Sequence, residues 1–174
     1  MQDASLRLSK NIAVDLRPWT QKPAVRYSGL GRVGERVRCL LDLATADRLG
    51  PRADDVVRKA KATGNWHEVD KAMKGVFIDL SQNPARRPWT NQKNVSKCLT
   101  TSSRIYSFEE QRVVLPLEHL LFQGHRRSIV IPESMPPRSV ARLAGEGICL
   151  PSLATIVWSL ACSGNLAGKP SQRS

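Results

Sequence analysis

Apolar residues recur at helical spacing from Gly29 onward, where Val33, Val37, Leu40, Leu41 and Ala44 share a face until Gly50 and Pro51 stop the pattern. A second helix is expected over 51–63. Asp54 and Asp55 in its first turn and Arg58, Lys59 and Lys61 toward its end complement the helix dipole, and Gly64 follows. Asn65 can cap a third helix over 65–73 that Gly75 closes. The period then changes. Residues 76–80 read as a short strand, 81–94 as a loop dense in Pro, Asn and Arg, and 97–105 as β-prone and polar. Ser107 can cap a brief turn, and 128–131 read as another strand.

The last third, 112–158, carries the clearest punctuation. Pro116 sits where a first helical residue is tolerated, Leu117, Leu120 and Leu121 fall on one face, and Gly124 supplies a left-handed exit. Pro151 opens another helix in which Leu153, Ile156, Val157 and Leu160 recur at i, i+3, i+4 and i+7, so that face is expected to be buried. The implied fold is mixed α/β, with a helical N-terminal half, a small sheet and two C-terminal helices. The organisation expected is an irregular lead over 1–28, a helical segment over 29–75, a second region over 76–163 and a disordered tail over 164–174.

Composition narrows the partners. The 174 residues hold 27 Lys and Arg against 15 Asp and Glu, a formal charge of +12, which favours polyanions such as DNA or RNA. The first residues, MQDASLRLSK, lack the apolar core of a secretory signal, and no single apolar run reaches the length of a membrane span. A nuclear or otherwise intracellular chain with reduced thiols, and no membrane, is therefore the expectation. The four cysteines, Cys39, Cys98, Cys149 and Cys162, are too dispersed for structural zinc, and Cys39, Cys149 and Cys162 read as core thiols.

Candidate chemistry is sparse. Gly29, Gly31 and Gly34 match a phosphate-binding GxGxxG pattern, but Lys22, Pro23 and Arg26 stand where a buried strand should precede it, so a flexible approach to a helix accounts for the run. His119 and Glu118 are neighbours on a helix and point apart. The loop with Arg86, Arg87, Trp89, Lys93 and Lys97 mixes cations with an aromatic, which suits phosphate contact with stacking; a solvated loop with Trp89 in the core is the plain alternative.

From residue 97 to residue 160 the chain resembles the C-terminal portion of the cytosine-5 DNA methyltransferases, particularly the divergent protist and viral forms. The text CLTTSS at 98–103 is followed by Arg112, Leu115, Glu118, Leu121 and Gln123, in the order of that family's ninth motif. Gly145, Ile148 and Pro151 then stand as in its tenth motif, with Glu146 where the family has Asn and His125 where it has an aromatic residue. The resemblance implies that Arg112, Glu118 and Gln123 support the target-recognition region. It also implies that Gly145, Glu146 and Ile148 close one side of an S-adenosylmethionine pocket, and that Arg86, Arg87, Trp89, Lys93, Lys97, Thr100 and Thr101 face DNA.

The catalytic half is missing from this text. No Cys follows a Pro, there is no Glu-Asn-Val, and the family's cofactor loop has no counterpart. A flipped cytosine would meet no nucleophile. The resemblance thus implies an incomplete methyltransferase-like fold, inactive alone, without bound S-adenosylmethionine and in want of a catalytic partner chain. The apolar face of the last helix would then be left exposed. The alternative is a small basic nucleic-acid-binding module without enzymatic activity.

Overall fold

A computed structural model describes residues 16–163 of the chain. The expected tail, 164–174, and the first fifteen residues of the lead lie outside the described residues. The fold is mixed α/β, and the described residues divide into two compact units that meet in sequence between Val114 and Leu115.

In the first unit, helix α1 (Glu35–Leu49) starts six residues later than its hydrophobic pattern, because positive φ at Gly29 and Gly31 turns the chain before Gly34 caps it. Its eight consecutive residues from Cys39 to Ala46 are all buried, so it is wrapped on every side instead of burying one face. Asp42 explains the difference. This buried carboxylate accepts the Trp19 and Thr20 backbone N–H groups, both at 2.9 Å, and the Thr20 hydroxyl at 2.7 Å, holding the N-terminal segment over the side of the helix that reads as polar.

A 3-10 turn (Gly50–Arg52) leads into α2 (Ala53–Thr63), which Gly64 ends in the left-handed conformation. Helix α3 (His67–Met73) follows, its His67 N–H donating to the Asn65 side chain at 3.0 Å.

The sheet is antiparallel, in the order β1 (Phe77–Asp79), β2 (Ile105–Ser107), β3 (Arg112–Val113). Ile78 lies opposite Tyr106, and Tyr106 opposite Val113. Strands of two or three residues cannot bury a face alone. They share the core of the helices through Val76, Ile78, Tyr106 and Phe108, which is why helical and sheet segments form one unit. The Phe108 ring meets Trp19 edge-on at 4.8 Å and Tyr106 edge-on at 5.5 Å, arrangements favoured by the ring quadrupoles. Burial pushes the Tyr106 hydroxyl far above its usual range, and it donates to the Arg26 carbonyl at 2.9 Å.

The expected strand over 97–105 forms only at its end. Before Ile105 the Thr100 N–H bonds the Ser103 hydroxyl at 2.8 Å and the Ser103 N–H bonds the Thr100 carbonyl at 3.0 Å, closing a turn. The expected strand over 128–131 is absent: the Ile129 N–H turns back onto Arg126, and Val130 is 89% exposed.

The second unit contains α4 (Pro116–Phe122), α5 (Pro137–Glu146) and α6 (Leu150–Cys162). Gly124 and His125 close α4 by donating to the Leu121 and Leu120 carbonyls, at 2.9 and 3.1 Å. Gly124 has φ of 84°, and a Cβ there would lie 2.5 Å from Pro151, so glycine is required twice over. The buried face of α4 is His119, Leu120 and Gln123; Leu117, expected inside, is exposed.

The expectation that α6 buries a face fails, because Leu153, Ile156, Val157 and Leu160 are all exposed and Trp158 is 72% exposed. The hydroxyls of Thr155 and Ser159 donate back to the carbonyls four residues earlier, at 2.9 and 2.8 Å, which leaves the helix surface with little polar demand. By length and composition alone, residues 137–162 include an 18-residue window, of mean hydropathy 1.4, that matches a membrane span. The apolar text continues through the short break between α5 and α6, which is why it is easily read as two shorter pieces.

Candidate nucleic-acid interface

The basic loop after β1 is held in place by two buried or partly buried carboxylates. Asp79, 1% exposed, accepts the Ser81 N–H and hydroxyl at 2.9 and 2.7 Å, the Ser103 hydroxyl at 2.7 Å and the Arg104 N–H at 3.1 Å. One side chain thereby ties both flanks of the loop to the sheet. Asp47 of α1 accepts the Trp89 indole N–H at 2.9 Å and pairs with the Arg87 guanidinium.

These anchors sort the loop's cations into two kinds. Arg87, with φ of 46°, is committed to Asp47. Outside the loop, Arg36 donates to the Leu80 and Gln82 carbonyls, Arg48 to the Ala72 and Asn91 carbonyls, and Arg104 to the Gly29 carbonyl. Four arginines are therefore tied to carbonyls or a carboxylate of the same unit, which a charge count does not reveal. Arg86 and Lys97, by contrast, are exposed and in no ion pair among the described residues.

Trp89 is 3% exposed, so its ring presents no stacking face, and of the two sequence readings the core indole holds. Thr100 and Thr101 are exposed on the turn before β2. Lys93 lies elsewhere on the loop, its ammonium 3.4 Å from the Lys71 carbonyl, and lines a cavity of about 610 Å³ together with Lys22, Lys71 and Lys74. The only local signal of that convergence is the helical spacing of His67, Asp70, Lys71 and Lys74, which puts all four on one face of α3 and its end.

Gly75 brings the loop and α3 together. Its φ of 71° and the 2.6 Å separation between a Cβ and the Asn94 side chain require glycine, and its carbonyl accepts the Asn94 N–H at 2.7 Å. The Gly29, Gly31 and Gly34 run has no buried strand before it, only an isolated bridge between Ser28 and Arg112.

The residues tied to the methyltransferase resemblance fall in both units. Arg112 is in β3 of the first. In the second, Glu118 accepts the Leu115 N–H at 2.7 Å, half of a capping box, and Gln123 is buried against α5. Gly145 is half-buried near the end of α5, Glu146 is held by Arg142 at 2.8 Å, and Ile148 is 64% exposed. Such an open arrangement does not by itself enclose S-adenosylmethionine.

Of the cysteines only Cys39 is buried; Cys98 and Cys162 are exposed, which corrects the reading of Cys162 as a core thiol. Cys149 is partly exposed at the start of α6, where the Ser152 backbone N–H, and after it the Ser152 hydroxyl, favour the thiolate and lower its pKa. Comparisons with protein-family models, curated proteins and solved structures returned no match.

Proposed function

We propose that the chain is a basic nucleic-acid-binding protein that contacts phosphates through the loop carrying Arg86 and Lys97. What supports this reading is that the loop is anchored by Asp47 and Asp79 while those two cations project without acidic partners among the described residues. A pre-positioned cation binds phosphate with less loss of side-chain freedom than one on a mobile loop. Duplex DNA titrated across a range of salt tests it. Binding should weaken steeply with salt, and the double variant R86A/K97A should lower the slope of log K against log salt by about 2. An unchanged slope would return the loop to ordinary solvated surface.

A second reading, the C-terminal part of a cytosine-5 DNA methyltransferase-like protein, has one observation in its favour. The two segments that carry the resemblance are joined by hydrogen bonds, Gln123 Nε2 to the Ala144 carbonyl and the Leu150 N–H to the Gln123 carbonyl, each at 2.8 Å. On this reading the exposed apolar surface of α6 belongs against a catalytic partner chain. The isolated chain should then label no DNA from radioactive S-adenosylmethionine, and robust labelling would sink the reading.

A further inference from the structure

No charged residue stands between Gly147 and Ser163, and no residue of α6 is buried. Its exposed apolar side chains do not form a single stripe. At 3.6 residues per turn, Ile156, Leu160, Leu153, Val157, Leu150 and Trp158 spread over about 200° of the circumference. The strip that remains is polar in text but not in demand. The hydroxyls of Thr155, Ser159 and Ser163 donate to the Pro151, Thr155 and Leu160 carbonyls at 2.9, 2.8 and 2.8 Å. A helix that docks on a protein shows an apolar stripe of roughly 100° and a charged opposite face, whereas one apolar over most of its surface belongs in a core or in hydrocarbon.

The base of α6 is fixed and basic. The Leu150 N–H donates to the Gln123 carbonyl at 2.8 Å, and Pro151 packs so closely on Gly124 that a Cβ there would clash. Arg126 and Arg127 follow at once, both exposed and in no ion pair among the described residues. Guanidinium groups beside an uncharged apolar helix complement the phosphates and acyl chains of an anionic bilayer together. Depth follows from length. Helix α5 buries Val140 and Ala144 in protein and carries Arg138, Arg142 and Glu146, so only the 13 residues of α6 can enter hydrocarbon. They extend about 20 Å at 1.5 Å per residue, short of a hydrocarbon core of about 30 Å. We propose that α6 is a monotopic membrane anchor that inserts into the acyl chains of one leaflet of an anionic bilayer, with Arg126 and Arg127 on the lipid phosphates. The anchor does not depend on duplex binding by Arg86 and Lys97, and it takes for lipid the surface that the methyltransferase reading gives to a partner chain.

The test floats the full chain with vesicles of phosphatidylcholine, with and without phosphatidylserine, and follows tryptophan emission. Trp19, Trp66 and Trp89 are buried and Trp158 is exposed, so the lipid-sensitive signal comes from Trp158. Its emission should shift to the blue on phosphatidylserine vesicles and be quenched by lipids brominated on the acyl chain, and W158F should abolish the quenching. I156E/L160E should lower partitioning into both vesicle types by at least about tenfold. R126A/R127A should lower it by about tenfold on phosphatidylserine vesicles only. All four positions are exposed, so both variants should keep the wild-type melting temperature and duplex affinity. Vesicle binding without acyl-chain quenching of Trp158 would overturn insertion, leaving surface adhesion through the basic residues. A blue-shifted Trp158 in a lipid-free dimer, or no flotation at all, would overturn the anchor. Duplex binding without flotation removes only the anchor; flotation without duplex binding removes only the loop interface.

Discussion

The side-chain amide of Gln123 donates to the main-chain carbonyl of Ala144 at 2.8 Å, across twenty-one residues and inside the second unit. Ala144 lies in the last turn of α5, where carbonyls have no helical partner, so Gln123 satisfies an acceptor that burial would otherwise leave stranded. Gln123→Ala should cost about 1–2 kcal/mol locally. Gln123→Glu should cost more, because an ionised carboxylate cannot donate and would face a carbonyl oxygen in a buried setting. Amide exchange over 116–146 measures both, and exchange in Glu no faster than in wild type would refute the account.

Asp79 makes a second quantitative case. Replacing it by Ala leaves the Ser103 hydroxyl, the Ser81 N–H and the Arg104 N–H without their common acceptor in a largely buried place. A loss of about 3 kcal/mol is expected. Denaturant unfolding followed by tryptophan fluorescence reads this directly.

Asp47 separates scaffold from contact. D47A should release Arg87 and strand the Trp89 indole N–H, destabilising the first unit by about 2 kcal/mol while leaving Arg86 and Lys97 exposed. R87A should leave the salt slope of DNA binding nearly unchanged, whereas R86A/K97A lowers it. If R87A lowers the slope as R86A does, Arg87 contacts phosphate in the complex and its pairing with Asp47 is given up on binding.

Cys149 should be alkylated from a lower pH than an ordinary thiol. The thiolate is the reactive form, and the neighbouring Ser152 N–H lowers the pKa, so the thiolate fraction at any pH below the ordinary value is raised. Ser152→Ala removes only the hydroxyl, the smaller of the two lowering causes, and should move the alkylation profile part of the way back up. Iodoacetamide labelling read by peptide mass spectrometry across pH supplies the profile; no shift relative to an ordinary thiol would contradict the geometry.

Local signals were legible where local physics decides. Gly64, Gly75 and Gly124 mark real chain reversals, Pro116 opens α4, and α2 runs close to its expected span, because capping, φ preference and dipole complementarity act over a few residues. Periodicity also located α6, yet it could not tell a face packed against protein from one left bare, since apolar spacing is the same in both.

What the sequence determined by itself is the mixed fold class, most helix ends, and a basic loop with its Trp89. Tertiary structure alone decided that Asp42, Asp47 and Asp79 are internal anchors, that Arg87 and Arg104 are scaffold, and that Lys22, Lys71, Lys74 and Lys93 meet around one cleft. The reason is physical. A carboxylate or ammonium has the same chemistry at any position in the text, and whether it faces water, a carbonyl or an opposite charge depends on which distant segments folding places beside it.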